Sequence, residues 1–200
     1  MHDVASTEAG GEVGEVVRAA ARGDLPAWTE ASPERREHMS RVAALLAQWA
    51  EAAELGPDER DRWVAVGWLH DALRDADPAR LRREVPERFR DLPDPVLHGP
   101  AAAERLAGEA DPEVCDAVRY HTLGHPGFGR LGKALYLADF LEPGRDFEPE
   151  WRAALTARMP RELDEVLVEV LGARIRHLVS RRKPVSPETA AFWSAVVGSG

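Results

Sequence analysis

The chain has 200 residues, a formal net charge of −9, and enough length for one domain with a substantial core. That charge disfavours general nucleic-acid binding, which needs a field opposite to the phosphate backbone, but it leaves room for a small polyanion met by locally clustered cations. No apolar run approaches the ~20 residues of a membrane span.

Ala, Leu, Arg and Glu dominate and β-branched runs are scarce, so the chain reads as all-α. Residues Met1 to about Gly11 are small and polar and read as a frayed tail. A short helix follows from Val13 to Ala21, and Asp24–Glu30 is a connection that packs Trp28. Ser32-Pro33 opens the first long helix with a capping hydroxyl and a proline at the first helical position. Val42, Leu45, Leu46, Trp49 and Ala53 recur at helical spacing, and His38 falls on the same buried stripe. Gly56-Pro57 ends that helix and starts the next, which carries Trp63, Val66, Gly67 and Leu69 into His70-Asp71.

Asp77-Pro78 caps a short charged helix to about Val85, and Pro86–Leu97 is a loop with one helical turn. Helices follow over Ala101–Gly108 and from Asp111-Pro112 to His121, then a glycine-rich turn over residues 124–129. The helix from Leu131 to Leu141 is apolar almost all round and belongs in the middle of the domain, yet it contains Asp139. A carboxylate buried there must be paired or bound to metal. Helices over Pro149–Ala157, Arg161–Ser180 and Pro187–Val197 complete the chain. The single cysteine, Cys115, and an acidic N-terminus unlike a signal peptide predict a cytoplasmic protein.

A His-Asp pair alone is a common dipeptide, and a lone histidine on an apolar face is usually a core residue. Their conjunction here is less ordinary: His38 early in one core helix, His70-Asp71 at the end of the next, and Asp139 in the most apolar one. Two imidazoles and two carboxylates suit iron, manganese, cobalt or zinc, whereas calcium prefers an all-oxygen site. His98 and His121 stand at helix ends facing loops, where they could complete a second metal site or bind phosphate. His2, His125 and His177 are background by position: the tail, the glycine turn and an arginine-rich helix.

The order His38, His70-Asp71, Asp139 resembles the HD superfamily of metal-dependent phosphohydrolases. Further blocks narrow the resemblance to its YqeK-like branch, the symmetrical bis(5'-nucleosyl)-tetraphosphatases. They are His98-Gly99-Pro100, Val118-Arg119-Tyr120-His121-Thr122, Leu135-Tyr136-Leu137-Ala138-Asp139 with Leu141-Glu142-Pro143-Gly144-Arg145, and Lys183-Pro184-Val185-Ser186-Pro187-Glu188-Thr189. The resemblance runs from about Glu37 to Ala191. It implies an HD-domain helical bundle over residues 32–200, preceded by a tail and short helix over 1–31. It also implies iron held by His38, His70, Asp71 and Asp139, and symmetrical hydrolysis of diadenosine tetraphosphate to two ADP.

In this reading Asp71 ligates the metal and orients the attacking hydroxide, Arg74 offsets phosphate charge, and His121 assists the leaving group. His98, His121, Thr122, Lys133, Arg145, Lys183 and Thr189 are expected around the nucleotide. Two positions depart from the branch pattern. Arg74 stands where the branch usually has lysine, and His125 where it often has arginine. Two alternatives remain: an HD enzyme for another nucleotide or phosphate ester, and a non-catalytic nucleotide sensor. A homodimer is left open by Trp151, Phe192 and Trp193.

Overall fold

Six of the helices begin at a proline, whose fixed φ suits the first helical position and whose missing N–H costs nothing there. In the computed structural model, which describes residues 13–198, the helices are α1 (Glu15–Ala21), α2 (Pro33–Ala52), α3 (Pro57–Leu69), α4 (Pro78–Glu84), α5 (His98–Leu106), α6 (Pro112–Tyr120), α7 (Arg130–Leu141), α8 (Pro149–Arg158), α9 (Leu163–Ser180) and α10 (Pro187–Val197). Two 3₁₀ turns, Glu87–Phe89 and Asp94–Val96, occupy the proline-rich loop where one turn was expected. The side chains of Ser32, Asp77, Asp111 and Ser186 each accept a backbone N–H at a helix start. Among the described residues there is no sheet, only an isolated bridge between Ala107 and Ala110. The expected frayed tail, with His2, lies outside the described residues.

Helix α7 packs against α2, α3, α6, α8 and α9, the central place its composition predicts. Leu131, Leu135, Leu137 and Ala138 are fully buried along it. Helix α3 packs on α1, α2, α6 and α7. Val17 and Ala20 of α1 are fully buried and belong to the same core cluster, so the short N-terminal helix is packed on the bundle.

Two helix pairs come unusually close. A Cβ at Gly67 on α3 would lie 2.6 Å from Ala43 Cα on α2. A Cβ at Gly99 on α5 would lie 2.9 Å from the Arg119 carbonyl on α6. The first contact draws His38 and His70 together, and the second does the same for His98 and His121.

Candidate metal centre

Helix α3 ends at Leu69; His70 is its C-cap, still in right-handed helical conformation, and Asp71 follows in the turn. The His70 Nδ1–H donates to the Gly67 carbonyl at 2.9 Å, which leaves Nε2 as the free lone pair. That Nε2 lies 3.3 Å from His38 Nε2 and 3.6 Å from Asp71 Oδ2. His38 Nε2 is in turn 3.1 Å from Asp139 Oδ1 and 3.7 Å from Asp71 Oδ2. The structure therefore brings His38, His70 and Asp71 into one group, and Asp139 joins it through His38.

The donor set fits a divalent transition metal. Burial pushes His70 down to about 4, so at neutral pH its Nε2 is an acceptor. It points at a carboxylate oxygen and a second imidazole nitrogen, and such a cage of acceptors needs a cation at its centre. Without metal, a proton on His38 supplies it. Burial alone would lower His38, but its hydrogen bonds to Asp139 and Glu142 outweigh this and raise it to about 9. Asp139 is disfavoured as an anion by burial, yet the His38 hydrogen bond holds it well below the usual carboxylate range. Asp71 is likewise held down against burial by the imidazoles of His70, His121 and His98.

Glu142, just past the end of α7, was not singled out from the sequence. Its Oε1 lies 3.1 Å from His38 Nδ1, and its Oε2 accepts from Arg41 Nε at 2.6 Å and from Gly144 N at 2.8 Å. Burial opposes its charge, but these donors bring it down to about 2. Glu142 so orients the outer nitrogen of His38, a candidate ligand, and its own carbonyl is held by buried Arg152. Arg152 also donates to the carbonyls of Phe140 (3.1 Å) and Arg145 (2.7 Å), securing the loop that carries Arg145.

Asp71 faces two groups. Its Oδ1 is 3.0 Å from His98 Nε2 and 3.5 Å from His121 Nε2, and these nitrogens are 3.1 Å apart. Asp71, His98 and His121 thus form a second group able to hold a cation. Most of this group's hydrogen bonds close within the protein, but the buried His98 Nδ1 is left without a partner. His121 Nδ1–H donates to the Val118 carbonyl at 2.7 Å, and its Nε2 can accept from the Thr122 hydroxyl at 3.1 Å. His98 Nε2–H can then donate to Asp71.

A cavity of about 800 Å³ opens over both groups, near the upper end of the usual size for ligand sites. Arg74, His98, His121, Thr122, Asp139 and Arg145 line it, as expected. Arg145 Nη2 donates to Asp139 Oδ1 at 2.6 Å. Three expected substrate residues stand elsewhere. Lys133 is paired with Asp164 at 2.7 Å, and Lys183 is exposed after α9. Thr189 is buried and donates to the Leu123 carbonyl at 2.8 Å, tying α10 to the glycine turn. His125 stacks on Tyr120, with centroids 4.4 Å apart, outside the cavity lining.

Other lining residues were unexpected. His177, read as background, is one of them. Arg35 is another, and its Nη1 donates to Asp71 Oδ2 at 2.7 Å. It stands three residues before His38, one turn back on the same face, which is the signal that could have found it. Arg174 on α9 also lines the cavity and donates to the Thr122 carbonyl at 3.0 Å.

Comparison with known proteins agrees with this geometry. The HD domain family matches residues 35–171. The chain is 32% identical over 161 residues to the symmetrical bis(5'-nucleosyl)-tetraphosphatase of Bacillus subtilis, covering 79% of this chain and 77% of that one. It is 27% identical over 150 residues to the protein of the same name from Halalkalibacterium halodurans, covering 71% and 79%. The fold matches the crystal structure of a predicted HD superfamily hydrolase involved in NAD metabolism from Clostridium acetobutylicum. The TM-score is 0.73 at 17% identity, over 92% of this chain and 96% of that one. By sequence match and by fold, the chain belongs to the HD domain family.

Proposed function

We propose that this protein is a metal-dependent hydrolase that cleaves diadenosine tetraphosphate symmetrically to two ADP. The observation that carries the proposal is the grouping of His38, His70 and Asp71, with Asp139 against His38, beneath a cavity ringed by arginines. The relatives' shared name supplies the substrate class. Iron is the metal we infer, on the resemblance to the iron-binding branch; the donor types suit manganese, cobalt and zinc as well. When bound, such a metal polarises a phosphate oxygen and lowers the pKa of water, from ~15.7 toward ~7.

The chain's own residues do the rest. A polyphosphate repels nucleophiles, and Arg35, Arg74 and Arg145 line the cavity where that charge would lie. Arg35 and Arg145 pair with Asp71 and Asp139, so phosphate oxygens would share or exchange these partners on binding. Asp71, kept ionised, orients the attacking water. The new O–P bond forms at a central phosphorus as the bridging P–O bond breaks, and water supplies the atoms that complete two ADP. His121 stands beside Asp71 Oδ1 and the Thr122 hydroxyl, and in its protonated form it can give the Nε2 proton to the leaving oxygen. His98 and His121 are assigned to phosphate because both line the cavity and most of their hydrogen bonds close within the protein. The cytoplasmic assignment rests on the lone thiol of Cys115.

A substrate panel on the metal-reconstituted protein tests this reading against another HD activity. Diadenosine tetraphosphate should be turned over faster than nucleoside mono- and triphosphates. Preference for a monophosphate would favour a phosphomonoesterase, and tight nucleotide binding without any turnover would favour a sensor.

A further inference from the structure

One wall of the cavity is aromatic. Phe140 follows Asp139 on α7, Phe147 lies in the loop beyond Arg145, and Trp151 is on the first turn of α8; all three line the cavity. The Phe140 ring meets Phe147 at a centroid distance of 5.2 Å and an interplanar angle of 69°. It meets Trp151 at 6.0 Å and 85°. The cluster is built and edge-packed, yet it is not covered: Phe147 is 45% exposed. Among the described residues the other exposed large hydrophobics, Val179 and Val197, are aliphatic and do not line the cavity.

Three neighbouring features suit this wall to a nucleobase rather than to an apolar ligand. The Arg152 guanidinium lies over the Phe147 ring, 5.0 Å from its centroid, and its three carbonyl bonds hold the loop in place. Arg145, two residues before Phe147, reaches Asp139 and so places a cation between the wall and the metal ligands. Glu148, directly after Phe147, holds φ 41° and ψ 54°, a left-handed conformation that costs a non-glycine residue and recurs at ligand clamps. The sequence along the wall is thus aromatic face, cation, metal ligand. That order matches base, phosphate and scissile phosphate.

We propose that Phe147 and Trp151, backed by Phe140, form the stacking subsite for one purine base of the substrate. The proposal rests on the nucleotide reading above and adds to it where a base is held. Stacking is tolerant of base identity because every base has a π-face. The wall therefore recognises a nucleotide against a bare polyphosphate and does not read adenine against guanine.

Calorimetric titration of the full chain loaded with Mn²⁺ tests this, using ADP and inorganic pyrophosphate as probes. Wild type should bind ADP more tightly than pyrophosphate. Phe147→Ala and Trp151→Ala should each weaken ADP by roughly tenfold and leave pyrophosphate unchanged, while Phe147→Tyr keeps the wild-type affinities. Phe147 is exposed, so its loss does not threaten the fold. The proposal is overturned if ADP binding is indifferent to both alanine variants, or if ADP and pyrophosphate weaken by the same factor. Diadenosine tetraphosphate turnover by wild type is read separately. A protein that stacks ADP on this wall but does not cleave the dinucleotide would overturn the substrate reading and leave the subsite standing.

Discussion

Gly67 on α3 lies against the backbone of Ala43 on α2, so closely that a Cβ at 67 would sit 2.6 Å from Ala43 Cα and 2.8 Å from its nitrogen. The contact falls five residues after His38 and three before His70, and it sets how near the two imidazole nitrogens can come. Gly67→Ala should therefore cost both stability and metal affinity. Helix propensity alone would favour alanine by about 1 kcal/mol. The clash is with backbone that cannot swing aside, and overpacking of this kind costs about 1–3 kcal/mol. A lower Tm with weaker metal binding is the expected result; a stabilised variant with unchanged binding would show that the helices can separate freely.

Glu142 holds the outer nitrogen of His38, and losing its charge should be felt at the metal. Glu142→Gln keeps the shape but gives up the ion pair with Arg41. Chelator competition should show metal affinity reduced by roughly 10- to 100-fold, the usual range for such outer partners. Unchanged affinity would mean that His38 is oriented by packing alone.

Metal uptake should release a proton. Metal-free His38 titrates near 9, whereas a ligand imidazole must present a bare Nε2. At pH 7 to 8, calorimetry in buffers of different ionisation enthalpy should report about one proton released per metal bound. Affinity should climb with pH and level off above 9. Uptake without proton release would contradict the His38 assignment.

The metal-free protein should be most stable near pH 6.5. His38 is raised above its unfolded value, so its contribution is complete below about 6.5 and is lost as pH climbs through 9. His70, pushed down to about 4, works in the other direction: its contribution is present above 6.5 and is lost as pH falls through 4. Asp71, Asp139 and Glu142, all lowered, add to the loss on the acid side. Thermal melts across pH 4 to 9 with metal removed would reveal the maximum; a monotonic rise with pH would contradict it.

Asp139→Ala should abolish metal retention, whereas His98→Ala and His121→Ala should keep the metal and lose phosphate affinity. Metal analysis of the three purified variants separates the roles. Retained metal in Asp139→Ala would remove it from the ligand set. Metal loss from both histidine variants would make the Asp71–His98–His121 group a metal site instead.

Much of this candidate centre was legible because its polar side chains sit where apolar periodicity leaves no other use for them. His38 lies on a buried stripe, and Asp139 is the acid of an otherwise apolar helix. Periodicity shows which face of a helix is buried, not what it meets. Lys133 was expected at the phosphates, but its side of α7 meets Asp164 on α9. Thr189 lies in a matching motif, yet its hydroxyl is used to tie α10 to the glycine turn. His177 and Arg174 enter the cavity only because α9 is laid along its edge. Glu142 and Phe147 follow the last turn of α7, where no helical pattern remains to place them, and tertiary contacts such as the Arg152 bonds define that loop.

The most direct test is to incubate the iron-loaded protein with diadenosine tetraphosphate and separate the products. The geometry and the relatives together predict two ADP from each molecule cleaved. ATP with AMP, or no turnover with any divalent metal, would contradict the central claim.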